Sequence, residues 1–297
     1  MKSSIWPVLI GTGVFLGLGM PLAKAAAAEQ VSALAFAFWP TVAAGLALIA
    51  LGRLRQGSPR LTMAALRFGV IAGLFGHALP MSAAYWLSAE AGAGFTALAF
   101  TLPPVFTLAI TLLIGIERPL MRRVGGVAIG LTGAVLFVVG RGTTSTTDNL
   151  DALWLVVAIP AVIAAANVYR SLRLPQGLAA EWLSGITLLS SSGMLAVFGL
   201  LAGGMGVPMD ASAIAWLALQ SLALVAGYIL YFLLQQRAEP VTFSFMGYVV
   251  RATGVAIGTV AFGERWPWTT LPALALISAA LWLMKSTAAR GPGSPRQ

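Results

Sequence analysis

Apolar runs of about twenty residues alternate with short polar breaks along the whole chain. A run of that length crosses about 30 Å of hydrocarbon as a helix. Inside lipid the backbone must satisfy its own hydrogen bonds, so such runs are helical. A membrane barrel would instead show short segments alternating in hydrophobicity, and none occur. The pattern predicts about ten transmembrane helices, near 4–23, 31–52, 65–88, 92–115, 120–140, 152–170, 179–202, 212–235, 241–262 and 268–286. The connections leave no room for a soluble domain. The longest polar stretch, Arg141 to Asp151, is rich in Thr and Gly and reads as a linker between two halves. Gly291 to Gln297 reads as a disordered tail.

Composition agrees with this pattern. Of 297 residues, 59% are hydrophobic and 9% charged, and mean hydropathy is +0.89. A water-facing domain carries roughly 25% charged residues. With no cysteine, disulfides and thiolate metal sites are excluded. The net charge of +9 lies in the breaks between runs, which argues for membrane orientation and against nucleic acid. With a cytoplasmic N-terminus, fourteen Lys and Arg fall inside, Arg170 and Arg237 among them. Only Lys24, Arg141 and Arg265 fall outside. An even number of spans returns the C-terminus to the cytoplasm. Lys2, an apolar stretch and Ala23-Lys24-Ala25 loosely resemble a cleaved leader. The length of that stretch and its Gly17, Gly19 and Pro21 favour a retained first span.

A shift of 147 residues lays loops on loops: Lys24–Gln30 falls on Ser171–Gly177, and Gly115–Met121 on Phe262–Trp268. Glu117-Arg118 meets Glu264-Arg265. Each half then holds five spans, residues 1–145 and 146–290, with 291–297 as the tail. An odd number of spans makes the second half enter from the opposite side. That is an inverted repeat, the arrangement by which transporters build two related gates around a central cavity.

The segments FTLPPVFTLAITLLIGIERPLMRRVGGVAIGLTGAVLFV and GYVVRATGVAIGTVAFGERWPWTTLPALALISAALWLM carry a further likeness. They resemble the EamA-type branch of the drug/metabolite transporter superfamily, in which each half ends with a Pro-bearing helix, a following Glu and a Gly-rich helix. Pro103, Glu117 and Gly126 to Gly133 fit this in the first half. The second half keeps Glu264 but has Val250 and Arg251 where prolines would fall. Overall likeness is greatest to the YddG-type aromatic amino acid exporters. The resemblance implies a multi-pass bacterial inner-membrane transporter exporting amino acids, aromatic ones preferred, by alternating access.

Several residues could carry that chemistry. His77, the single histidine, sits mid-span, where an ionisable group is functional by default or else a neutral hydrogen-bonding partner. Met81 and Tyr85 share its helix face. Arg251, also mid-span, either holds a substrate carboxylate or donates to carbonyls freed opposite it. Pro103-Pro104 frees the carbonyls of Ala99 and Phe100, giving a gate hinge, a binding wall or a static kink. Tyr228 and Tyr231, with Tyr248 and Trp39, could orient an aromatic or zwitterionic ligand. Asn167 is a binding group or an interhelical bond. The substrate-binding set expected is Trp39, His77, Met81, Tyr85, Pro103, Pro104, Tyr228, Tyr231, Tyr248 and Arg251.

No span core holds Asp or Glu, and there is no nucleotide loop, metal-ligand cluster or catalytic set. The expectation is a transporter, not an enzyme, with no cofactor and no metal. Its partners are a small-molecule substrate and the lipid bilayer; neither nucleic acid nor a protein partner is implied. Gradient-driven flux is expected, with proton exchange at His77 as the alternative. Competing readings are broad efflux of cationic drugs by proton antiport, a membrane-embedded enzyme, and a non-transporting scaffold.

Overall fold

The computed structural model describes residues 5–59, 61–92, 102–116, 121–142, 150–238, 246–264 and 270–288, with Thr96, Phe243 and Trp268. Among them the regular structure is entirely helical: α1 (Trp6–Gly17), α2 (Gly19–Ala28), α3 (Ala33–Gln56), α4 (Met63–Gly73), a π turn (Leu74–Ala78), α5 (Leu79–Ala91), α6 (Pro103–Leu113), α7 (Met121–Gly142), α8 (Leu150–Arg173), α9 (Ala180–Ala202), α10 (Ala211–Arg237), α11 (Met246–Phe262) and α12 (Thr270–Ala288).

Five stretches are long and apolar enough to cross a membrane: Trp6–Ala28, Ala33–Gln56, Met63–Glu90, Ala180–Leu201 and Ala211–Arg237. Helices α6, α7, α8, α11 and α12 lie where the sequence predicts the other five spans. The outer surface is apolar: Leu200 is 85% exposed and Val260 88%. Water would reject so many bare aliphatic side chains together, whereas lipid accepts them. This is a multi-pass membrane protein.

Local sequence explains the element ends. Ser32 caps α3 by accepting from the Ala35 amide at 3.0 Å, and Thr62 caps α4 through the Ala65 amide at 3.2 Å. Gly57, at φ 71°, ends α3 in a backbone conformation that favours glycine. The first span runs further than its hydropathy predicts. Helix continues past Pro21 to Ala28, so Lys24 sits within α2 rather than in a loop, paired with Glu264 at 2.6 Å. Pro21 is tolerated because it stands in the first turn after the α1–α2 break at Leu18.

The third span carries the main irregularity. Pro80 has no amide to give, and its ring would crowd the carbonyl of Gly76 in a regular helix. The chain widens there: the Leu79 amide reaches the carbonyl of Leu74, one residue beyond α-helical reach.

Helix α3 packs on α9, α7 on α12, α1 on α10 and α11, α4 on α9, and α6 on α8. Small residues let these backbones meet closely. A Cβ at Gly13 would stand 2.3 Å from Val249 Cβ, and one at Gly69 2.4 Å from Ile186. Gly17 and Gly73, one turn further along, abut Val250 and Thr187 backbone in the same way.

Candidate functional site

Between the helices lies a partly open cavity with a mainly apolar wall. Its walls come from six segments: Leu16 of α1 and Met20 of α2; Gly76 and His77 of the π turn with Met81 and Tyr85 of α5; Pro103 of α6; Ile163, Asn167 and Arg170 of α8; Gln220, Leu224, Tyr228 and Tyr231 of α10; and Met246, Gly247 and Val250 of α11. The wall is mostly apolar, with a few polar groups fixed by one another.

His77 stands at the centre of one chain of bonds. Its Nε2 lies 2.9 Å from Thr41 Oγ1, and its Nδ1 lies 2.7 Å from Tyr228 Oη. The Thr41 hydroxyl donates its one proton to the Ala37 carbonyl at 2.5 Å. Thr41 must therefore accept from His77, which places the ring proton on Nε2. Nδ1 is then an acceptor, and the Tyr228 hydroxyl donates to it. Both ring nitrogens are satisfied with the imidazole neutral. Tyr228 stacks on Tyr231, ring centroids 5.5 Å apart. Separately, Gln220 Nε2 donates to Tyr85 Oη at 2.9 Å, while Gln220 Oε1 is buried with no hydrogen-bond partner.

Arg170 forms the third group. It is 2% exposed. Nη1 donates to Asn167 Oδ1 at 3.1 Å and to the Tyr231 hydroxyl; Nη2 donates to the Ala72 carbonyl at 3.2 Å. Its guanidinium also lies 5.3 Å from the Tyr231 ring centroid. Glycine stands opposite: a Cβ at Gly76 would fall 1.3 Å from Arg170 Nη2, so a side chain there would displace the guanidinium. The π turn thus brings a bare backbone against a buried cation.

Among the expected site residues, His77, Met81, Tyr85, Pro103, Tyr228 and Tyr231 come together in this cavity. Pro103 and Pro104 open α6, in positions where a missing amide costs nothing, and Pro104 is buried outside the cavity wall. The carbonyls of Ala99 and Phe100 lie outside the described residues, as do Glu117 and the side chain of Tyr248. Arg251 is half-buried on α11 and is not part of the lining. Trp39 is not brought to the cavity either. It is 46% exposed, and its Nε1 donates to the Met205 carbonyl at 3.0 Å.

Arg170 corrects the sequence reading most. Counted there as a cytoplasmic loop charge, it is a cavity residue, because α8 runs on to Arg173. Its signal was available: Asn167 and Arg170 are three apart on one apolar span, hence on one helix face. Gln220 and Thr41 carried no comparable signal.

An all-helical, multi-pass fold around a polar-studded cavity is a carrier-like arrangement, and comparison with known proteins agrees at that level. Residues 5–139 match the EamA-like transporter family. A protein of known crystal structure superposes with a TM-score of 0.68 at 18% identity, over 98% of this chain and 100% of its own. That likeness establishes the shared fold. No curated protein matches the chain significantly.

Proposed function

We propose that the chain is a ten-span transporter that exports small metabolites, amino acids with an aromatic preference, by alternating access. On this reading it sits in a bacterial inner membrane with both termini cytoplasmic. Residues 1–145 and 146–290 are inverted five-helix repeats.

The observation that carries the reading is the cavity, walled by corresponding positions of both halves. The shift that takes Ala33, the start of α3, to Ala180, the start of α9, also takes Leu16 to Ile163, Met20 to Asn167 and Pro103 to Val250. Helix contacts follow the same exchange. Helix α3 meets its counterpart α9, and α7 meets α12. The α1–α11 contact corresponds to α8–α6, and α4–α9 to α10–α3. A two-fold related pair of bundles can rock about a fixed site. The YddG-type likeness and the tyrosines of the wall support the aromatic preference.

Transport is gradient-driven on this reading. His77 is held between Thr41 and Tyr228 with both nitrogens satisfied. Purified protein in liposomes loaded with labelled phenylalanine should release it down its gradient with no pH difference imposed. Uphill accumulation that requires a proton gradient, and that His77→Ala uncouples while sparing downhill flux, would refute gradient-driven export. No flux of any amino acid would refute the transport reading itself.

A further inference from the structure

We propose that the cavity recognises its ligand by a carboxylate, that Arg170 is the anchor, and that a ligand ammonium is dispensable. The inference rests on the transport reading above and narrows its substrate class.

Arg170 carries a permanent charge, yet its hydrogen bonds all go to neutral oxygens. Among the described residues no carboxylate contacts it. Lys24–Glu264 and Arg55–Glu181 are ion pairs near span ends, away from the cavity lining. A buried charge without a counter-charge is costly, and Arg170 is one of the residues that line the cavity. Arg170 Nε is buried with no hydrogen-bond partner, so donor capacity remains after Asn167, Tyr231 and Ala72 are served. Asn167, Tyr231 and Gly76 fix the guanidinium in place before any ligand arrives, so little ordering cost falls on binding.

The same wall offers nothing comparable to a cation. Among the described residues no Asp or Glu lines it. Gln220 Oε1 is the orphan acceptor there, and a neutral amide oxygen is a weak substitute for a carboxylate. The remaining lining, including Leu16, Met20, Ile163 and Leu224, suits an apolar body. The ligand class is therefore a monocarboxylate with an apolar or aromatic body, amino acids being one case of it.

Three matched probes decide the matter: L-phenylalanine, 3-phenylpropanoate, which lacks the amine, and 2-phenylethylamine, which lacks the acid. Their binding to full-length wild-type protein in detergent is measured by calorimetry. The two acids should bind within a few-fold of each other, and the amine at least about tenfold more weakly, as expected for a charge-assisted bond. Arg170→Gln should weaken both acids at least about tenfold and leave the amine unchanged. Arg170→Lys, which keeps the charge, should recover part of the loss and stands in if Arg170→Gln does not fold. Amine binding equal to phenylalanine, acid binding indifferent to both variants, or binding of neither acid overturns the inference. Flux separates it from its parent reading. Arg170-dependent acid binding without flux in liposomes leaves the anchor standing and removes transport. Flux of cationic or neutral solutes that Arg170→Gln leaves unchanged does the reverse.

Discussion

The two halves of the cavity wall have matching positions and opposite chemistry. Under the shift that lays Ala33 on Ala180, Met20 corresponds to Asn167, while Ala23 and Gly73, which lie outside the lining, correspond to the lining residues Arg170 and Gln220, so the polar member belongs to the C-terminal half. At two positions on the third and eighth spans the pattern is mixed: His77 corresponds to Leu224, and Met81 to Tyr228. His77 then bonds to Tyr228, so one polar residue from each half completes the other. On the transporter reading proposed above, the shape of the site comes from what the halves share, and its selectivity from where they differ. A perfectly symmetric wall would place either two cations or none around the ligand.

Substitutions at matched positions test this. The largest contrast should be at Gly76 and its counterpart Ala223. Gly76→Ala places a Cβ where Arg170 Nη2 stands, so the guanidinium must withdraw and lose its bonds. We expect about 2–3 kcal/mol of destabilisation, read from thermal unfolding of detergent-purified protein. Carboxylate binding should fall as far as in Arg170→Gln, and the double variant should be far from additive. Ala223→Gly should cost about 1 kcal/mol, the ordinary helix penalty. Equal costs at the two positions would sink the contrast.

The next effect is at Tyr228 and Met81. Tyr228→Phe leaves His77 Nδ1 buried without a donor and should cost about 1–3 kcal/mol. Met81→Leu keeps volume and should cost under about 1.5 kcal/mol. The order reverses if the Tyr228 hydroxyl contributes nothing.

The smallest is at the span ends. Lys24→Gln breaks a partly exposed ion pair with Glu264 and should change stability by about 1 kcal/mol or less. Its counterpart Ser171→Ala removes a local bond to the Asn167 carbonyl and should lie within about 0.5 kcal/mol. A larger loss at Lys24 would make that pair a structural clamp.

Much of the fold was legible because hydrocarbon imposes one rule on every span: length and apolarity. The helices α3, α9 and α10 fall within a few residues of their expected limits. The irregularities were less visible. Pro80 announces a disturbance, but whether it kinks the helix or widens it depends on Gly76 and on Arg170 opposite, which hydropathy does not register. His77 was found because a lone ionisable residue mid-span is conspicuous. Arg170 was missed for the converse reason: an arginine near a span end looks like one more orienting charge. Trp39 was included for its ring, and only the position of the Met205 carbonyl explains why it faces away from the site.

The glycine contacts between the halves have a mechanical consequence. Val249 sits in the notch left by Gly13, and Val250 and Thr253 sit in that of Gly17. These notches are four residues apart, about 6 Å along the helix. Helix α1 therefore meets α11 as a toothed rack meets a pawl. A small slip would lift a valine against a ridge. Gly69 and Gly73 repeat the spacing against Ile186 and Thr187 on α9. Sliding along either seam would have to carry these side chains out of their notches, so close glycine contacts resist a continuous glide.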